Sequence, residues 1–264
     1  MFLIISAGQH NIWIWQQFPL DADVVLNLAP MWSGTGRLAR LDRRQDKEEG
    51  GQSMTQDRIS VPMLFTDPLP DLLVLRHGET EWNLTGRLQG AQDSPLTELG
   101  RAQAFRQGEI LRIMSLDDWD WYSSPQGRAR QTAEIAAAGS GGGPVQVEPQ
   151  LREIGIGNWA GRKRAELIAE SPALFDGPPL AWYDHVPCGE GLVGLAARLH
   201  GFLSGLTRPS VLVTHGITSR MLRCLARSLP PDAIGQVGGG QGVVYRIVAG
   251  QSTCFDAPPE NTKG

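Results

Sequence analysis

The sequence predicts an α/β fold, a three-layer α/β/α sandwich around a mostly parallel central sheet. Short apolar runs alternate with longer stretches of helical periodicity, the order expected of strands joined by crossover helices. Several of these runs end abruptly in histidine or arginine followed by glycine, as strands do where they emerge at a ligand. The chain has 264 residues, of which 41% are hydrophobic. That suits one large domain, or one domain plus an extension.

Residues 1–70 are set apart as an N-terminal extension and residues 71–264 as the folded domain. The extension holds Trp13, Trp15 and Trp32, then a charged, linker-like stretch from Arg37 to Arg58. Met54 and Met63 lie shortly ahead of the first strong motif, so part of it reads as an upstream addition or a misassigned start. Gly34-Thr35-Gly36-Arg37-Leu38-Ala39 fits the G-x-G-x-x-A form of a dinucleotide turn. No second strand follows at βαβ spacing, so it is not taken as a cofactor site.

In the domain, Leu72 to Leu75 is the first buried-strand candidate. Thr97 can cap a helix through Arg101 and Ala104. Trp119 to Ser123 and Val145 to Val147 are further strands. Gly139 to Gly143 between them lacks the Lys-Ser or Lys-Thr of a phosphate cradle and reads as a flexible helix-to-strand turn. Leu192, Leu195, Ala196, Leu199, Phe202, Leu203 and Leu206 keep helical spacing with one buried face. Ser210 to Thr214 is a strand, Ile217, Met221, Leu222 and Leu225 form a helix directly after it, and Val243 to Val248 is read as the last strand.

Composition excludes several classes. A net charge of −4 lacks the basic surplus of a nucleic-acid binder. The three cysteines, Cys188, Cys224 and Cys254, are odd in number and show no C-x-x-C spacing, which indicates a reducing cytoplasm rather than a disulfide framework or zinc knuckle. No apolar stretch reaches the roughly 18 residues that span a bilayer. The opening MFLIISAG is short, and the first basic residue is Arg37, so no secretory signal or membrane anchor is expected.

The chemistry gathers at strand ends. Arg76-His77-Gly78 follows one strand and His215-Gly216 another; a glycine after the histidine lets a backbone N–H approach a ligand. Arg128, in Tyr122 to Ala133, opens a helix, so that its side chain and the positive helix end could face one anion. Arg130 reads as a solvated neighbour. After the Val145 strand, Glu153 is the carboxylate placed to move a proton, and Arg152 is expected on the surface. Two histidines, two arginines and one carboxylate suit a phosphoryl group, since each charge-assisted hydrogen bond contributes about 1.5–3 kcal/mol. H-E-x-x-H, Asp-x-Asp and G-x-S-x-G are absent, so neither a metal hydrolase nor a serine hydrolase is indicated.

These residues give the chain a specific resemblance to the histidine phosphatase superfamily, the phosphoglycerate mutase-like proteins, over about residues 71 to 250. The motifs occur in the family's order: Arg76 to Asn83, Gly86-Arg87-Leu88-Gln89-Gly90, Ser94 to Gly100, Ser124-Pro125 through Thr132-Ala133, Leu151-Arg152-Glu153 with Gly157 to Gly161, and Thr214-His215-Gly216. The resemblance implies that His77 becomes a phosphohistidine and that Arg76, Arg128 and His215 hold the phosphoryl oxygens. Asn83, Gln89, Gly90 and Gly216 would contact substrate, Gly78 would leave room for the anion, and Glu153 would act as general acid and base. It also implies a small phosphorylated metabolite as ligand, with no metal and no cofactor.

The departures concern substrate. Mutases of the family read Glu-Arg-His-Tyr-Gly where this chain has Glu153-Ile154-Gly155-Ile156-Gly157, and carry Asn where it has Ile217. The segment before Glu190 is too short for their basic insertion; Arg162, Lys163 and Arg164 could replace it in part or form a solvated helix start. Gly191 stands where relatives have serine, which leaves the role of Glu190 open, and Trp182 and Tyr183 either line the pocket or pack. A phosphatase is therefore favoured over a phosphoglycerate mutase, with a non-catalytic phospholigand-binding protein as a third reading.

Overall fold

The computed structural model describes residues 63–257, together with the backbone of an antiparallel hairpin, β1 (Ile4–Ala7) and β2 (His10–Trp13). The chain divides into two units, Met1–Thr55 and Gln56–Gly264; the hairpin belongs to the first and all that follows to the second. The Gly34 to Ala39 pattern and the Arg37 to Arg58 linker lie outside the described residues.

The second unit is built on six strands: β3 (Leu72–Arg76), β4 (Asp120–Ser123), β5 (Val145–Val147), β6 (Ser210–Thr214), β7 (Val244–Val248) and β8 (Gln251–Phe255), in the order β5-β4-β6-β3-β7-β8. β3, β6, β4 and β5 pair in parallel. β7 runs antiparallel to β3, and β8 antiparallel to β7. The expected strand set ended one strand early. β8 is a polar, largely exposed edge strand, reached from β7 through Ala249 and Gly250, both at positive φ as in a tight primed hairpin. Its sequence carries no apolar run, which is why the pattern hid it.

Side chains alternate across β3 as the pleat requires. Leu72 and Val74 join one core with α5 (Gly191–Ser204) and α6 (Gly216–Ala226). Leu73 and Leu75 join another with α2 (Glu98–Arg112) and α3 (Gly127–Ser140). Two apolar layers, one on each face, make the three-layer sandwich. All four residues are fully buried, each contributing about 1.5–3 kcal/mol of burial. Thr97 caps α2 as expected, its hydroxyl accepting from the Gly100 N–H at 3.0 Å. Gly141, left-handed at φ 73°, ends α3 and opens the turn into β5.

The crossovers place the site. After β3 the chain passes to the α2/α3 face, whereas after β6 it passes to the α5/α6 face. Adjacent parallel strands whose connections leave in opposite directions open a crevice at their carboxyl ends. His77 and His215 are the residues that emerge there. Among the described residues no helix is long and apolar enough to cross a membrane.

Candidate active site

The ladder extends one residue past β3, with the His77 N–H donating to the Thr214 carbonyl at 2.9 Å. This fixes the backbone from which the two histidines diverge. Their ring centroids lie 5.1 Å apart and their planes meet at 61°. Nδ1 of His77 lies 2.7 Å from the Gly78 carbonyl, which can only accept, so Nδ1 carries the proton. Nε2 therefore presents its lone pair, and the Arg128 Nε–H donates to it at 3.3 Å. Burial, then the guanidinium groups of Arg76 and Arg128, hold the His77 ring well below the ordinary histidine range. Burial, with Arg128, His77 and Arg76, does the same for His215. Both rings are thus neutral at pH 7, as a nucleophile requires.

Arg128 is buried and braced on several sides. It donates to the carbonyls of Gln92 at 2.6 Å and Gly90 at 3.0 Å, and pairs with the Asp93 carboxylate at 3.0 Å. The Arg128 side chain and the α3 N-terminus do face one anion, and it is the Asp93 carboxylate, whose Oδ1 accepts from the Arg128 backbone N–H at 3.3 Å and from Nη1 at 3.0 Å. The Nε–H of the same side chain is left to His77. Arg76 differs: its Nε is buried without a partner, and Gly216 packs against its guanidinium, where a Cβ would stand 3.3 Å from Cζ.

Glu153 sits at the N-terminus of α6. Its carboxylate accepts from the N–H groups of Ile217 at 3.2 Å, Thr218 at 3.0 Å and Ile154 at 3.0 Å, and from the Thr218 hydroxyl at 2.9 Å. The loop that carries it is clamped by Glu190, which accepts from the Gly155 N–H at 3.0 Å and grips Arg198 through both oxygens at 2.7 and 2.9 Å. Glu190 therefore has a structural task here, without the serine of relatives. On the other side, Gln126 donates to the Gly90 carbonyl at 3.1 Å, which orients its oxygen toward the Ser124 hydroxyl. Ser124 in turn accepts from His215 Nε2 at 2.6 Å, leaving His215 Nδ1 buried and unpartnered.

A cleft of about 200 Å³ collects Arg76, His77, Asn83, Gln89, Gly90, Arg128, Glu153 and Gly216, all singled out from sequence, together with Arg87, Leu88, Ile154, Ile156, Leu180, Tyr183, Ile217 and Arg220. His215 is fully buried beside it. Asn83 lies on the short helix α1 (Glu81–Leu84). Its oxygen accepts from the Thr80 N–H at 3.3 Å and from Gln241 at 3.2 Å, so its amide N–H groups remain for the cleft. Gln89 donates to the Thr80 hydroxyl at 2.8 Å. Gly90, at φ 52°, supplies the carbonyl that holds Arg128. Tyr183 lines the cleft and stacks on Trp182, which packs against Trp159 and Phe175.

Gly78 corrects an expectation. A Cβ there would fall on the Gly100 carbonyl, and one at Gly100 would fall on that of Glu79; the Gly78 N–H donates to Thr132 at 3.1 Å. The glycine makes room for the start of α2, and its amide is engaged away from the cleft. Arg162, Lys163 and Arg164 do not line the cleft: Arg162 pairs with Glu170 and Arg164 lies over Phe175. Arg130 and Arg152 are exposed, as expected. Sequence reasoning missed Gln241, whose amide donates to the His77 carbonyl and Asn83 at 3.2 Å each, and Gln126, Asp93 and Arg220. The one available signal for Gln241 was a lone amide in the glycine-rich stretch Gly238 to Gly242. Among the described residues no three His, Cys, Asp or Glu side chains gather as a metal site would require.

Facing histidines and two guanidinium groups gather in a crevice at the carboxyl edge of a mostly parallel sheet, in an α/β protein of the phosphoglycerate mutase-like class. The family model for the histidine phosphatase superfamily (branch 1) matches residues 72–254, and the chain belongs to that superfamily. It is 38% identical over 170 residues to a probable phosphoglycerate mutase, GpmB, of Proteus mirabilis, spanning 61% of this chain and 76% of that protein. It is 34% identical over 203 residues to a glucosyl-3-phosphoglycerate phosphatase of Mycolicibacterium vanbaalenii, spanning 71% of this chain and 87% of that one. The solved structure of a mycobacterial glucosyl-3-phosphoglycerate phosphatase with VO3 superposes with a TM-score of 0.59 at 30% identity, covering 72% of this chain and 98% of that one.

Proposed function

We propose that the protein is a metal-independent phosphatase that hydrolyses a small phosphomonoester through a phosphohistidine on His77. The observation that carries this reading is the state of His77: neutral, with Nδ1 tied to the Gly78 carbonyl and Nε2 beside Arg128. In the first step Nε2 attacks phosphorus, the ester P–O bond breaks, and Glu153 as the carboxylic acid protonates the leaving oxygen. The Gly78 carbonyl holds the Nδ1 proton while the ring carries positive charge. In the second step Glu153 as carboxylate takes a proton from water. The hydroxide attacks phosphorus, and the P–N bond breaks to return the lone pair to His77 and release inorganic phosphate. Arg76 and Arg128 stabilise the phosphoryl oxygens in both transition states, and His215 becomes a third donor to them once Nδ1 takes a proton, since in the neutral ring that donates to Ser124 this nitrogen carries a lone pair.

The wall around the leaving group supports a phosphatase over a mutase. Ile154, Ile156 and Ile217 line it at the positions where the mutases of the resemblance carry polar residues. The identity to a protein named as a probable mutase favours the second reading, which predicts isomerisation of 3-phosphoglycerate with a bisphosphate primer. Turnover of p-nitrophenyl phosphate, with and without EDTA, and trapping of an acid-labile, base-stable phosphoenzyme test the proposal. We expect chelator-insensitive turnover and a phosphoenzyme, both lost in His77→Ala. Ordinary turnover by that variant overturns the mechanism.

A further inference from the structure

A chain of hydrogen bonds behind His215 bears on the ionisation state of the bound phosphoryl group; the inference rests on the phosphatase reading. The chain starts at Gln126. Its amide nitrogen donates to the Gly90 carbonyl at 3.1 Å, and its oxygen accepts from the Glu153 backbone N–H at 3.4 Å. A carbonyl can only accept and an N–H can only donate, so the amide has a single orientation. The same oxygen lies 2.5 Å from the Ser124 hydroxyl. Ser124 therefore directs its one proton to Gln126, and its oxygen is left to accept. It accepts from His215 Nε2–H at 2.6 Å and, at 3.4 Å, from the Gln126 backbone N–H.

The tautomer of His215 follows. With the proton on Nε2, Nδ1 of the neutral ring carries a lone pair; it is buried and meets no donor among the described residues. The ring itself is fully buried and faces that of His77, the centroids 5.1 Å apart. The charged groups around it are the guanidinium groups of Arg76, Arg128 and Arg198, while the Glu153 carboxylate is taken up by the N–H groups of Ile154, Ile217 and Thr218. Burial and these cations keep the ring from drawing a second proton from solvent at neutral pH. A lone pair set against a fully ionised oxyanion is repulsive, whereas against a P–OH it accepts a hydrogen bond.

We propose that the pocket receives its phosphoryl group singly protonated, with the P–OH donating to His215 Nδ1, and that Ser124 is the positioning residue that imposes this choice. The proton count closes. The phosphomonoester monoanion gives its proton to Nδ1 as His77 Nε2 attacks phosphorus, so that an imidazolium faces the developing charge, and Glu153 protonates the leaving oxygen as the ester bond breaks. In the second step water yields a proton to Glu153, the hydroxide displaces His77 from phosphorus, and His215 returns its proton to the departing phosphate. A phosphomonoester monoanion and water thus give an alcohol and dihydrogen phosphate, with both histidines restored.

The test pairs two anions of one shape. At about pH 8 sulfate and hydrogen phosphate are both tetrahedral and doubly charged, but only the second has a hydrogen to donate. Their competitive inhibition constants against p-nitrophenyl phosphate, and their thermal protection of the resting protein, are measured at equal ionic strength. We expect phosphate to bind about 10- to 100-fold more tightly than sulfate. Ser124→Ala frees the ring to turn an N–H toward the anion and should bring the two to within about 3-fold of each other; Ser124→Thr, which keeps the hydroxyl, should restore the preference. Gln126→Met, which lets the Ser124 hydroxyl donate to the ring instead, carries the same expectation if Ser124→Ala does not fold. Equal binding of the two anions by the native protein overturns the assignment. So does an undiminished ratio in the variants, since a purely structural effect would weaken both anions alike. Binding of neither anion removes the phosphatase reading, and this inference with it, whereas discrimination without turnover sinks the phosphatase reading alone.

Discussion

The two ends of the cleft are built on opposite plans. At the phosphoryl end most side chains are cross-braced: Arg128 reaches two carbonyls and a carboxylate, His215 rests on Ser124, and Gln241 ties Asn83 to the His77 backbone. At the leaving-group end the apolar walls of Ile154, Ile156 and Leu180 frame arginines without carboxylate partners. A fixed end suits chemistry common to all phosphomonoesters, because preorganised donors need no rearrangement at the transition state. A looser end suits discrimination between leaving groups. Damage at the first should slow every substrate, whereas change at the second should alter their ranking.

The largest expected effect tests where the two ends meet. Glu153→Gln should lower kcat/KM, which reports the phosphorylation step, for glycerol 1-phosphate by about 10²- to 10⁴-fold, since its alkoxide needs a proton. Its effect on p-nitrophenyl phosphate, whose phenolate leaves unaided, should be far smaller at the phosphorylation step. Equal losses on both would show that Glu153 does not protonate the leaving oxygen. Arg128→Ala comes next, with a loss of about 10²- to 10³-fold in kcat/KM on every substrate alike; a selective loss would erase the distinction between the ends. Gln241→Ala should cost roughly 3- to 10-fold on all substrates by freeing the Asn83 amide, the scale of one neutral hydrogen bond. Unchanged kinetics would mean that Asn83 is oriented by Thr80 alone.

The smallest effect is on stability. Because His77 and His215 are held below the ordinary value of 6.5, the unfolded chain takes up protons that the folded chain refuses as pH falls through that value. Stability is therefore greatest above pH 6.5 and declines below it, by at most about 1.4 kcal/mol per pH unit for each ring. Denaturant melts at pH 7.5 and 5.5 should show a shallower decline for His215→Gln than for the native chain; parallel declines would exclude this ring as a source.

What was legible in the sequence divides along similar lines. β3 and β6 are buried on both faces and read as unbroken aliphatic runs, so their positions, and those of the histidines that follow, were plain. β8 packs only its last residue, Phe255, against the core, and so left no apolar run. At the site, Arg76, His77, Arg128, Glu153 and His215 stand in local motifs beside strand or helix ends. Gln241 acts through contacts across the fold that no local spacing encodes. Gly78 was visible but misread: a glycine next to a catalytic histidine looks as if it accommodates substrate, whereas its missing side chain admits the backbone of α2.

The unpartnered Arg76 Nε and His215 Nδ1 carry a practical consequence. Inorganic phosphate, the expected reaction product, would occupy them in the resting enzyme, so the same ion should act as a competitive inhibitor and a thermal protectant. At a hundred times its dissociation constant it would add about 2.7 kcal/mol to the unfolding free energy. A preparation handled in phosphate buffer should accordingly be the sturdier and the slower one.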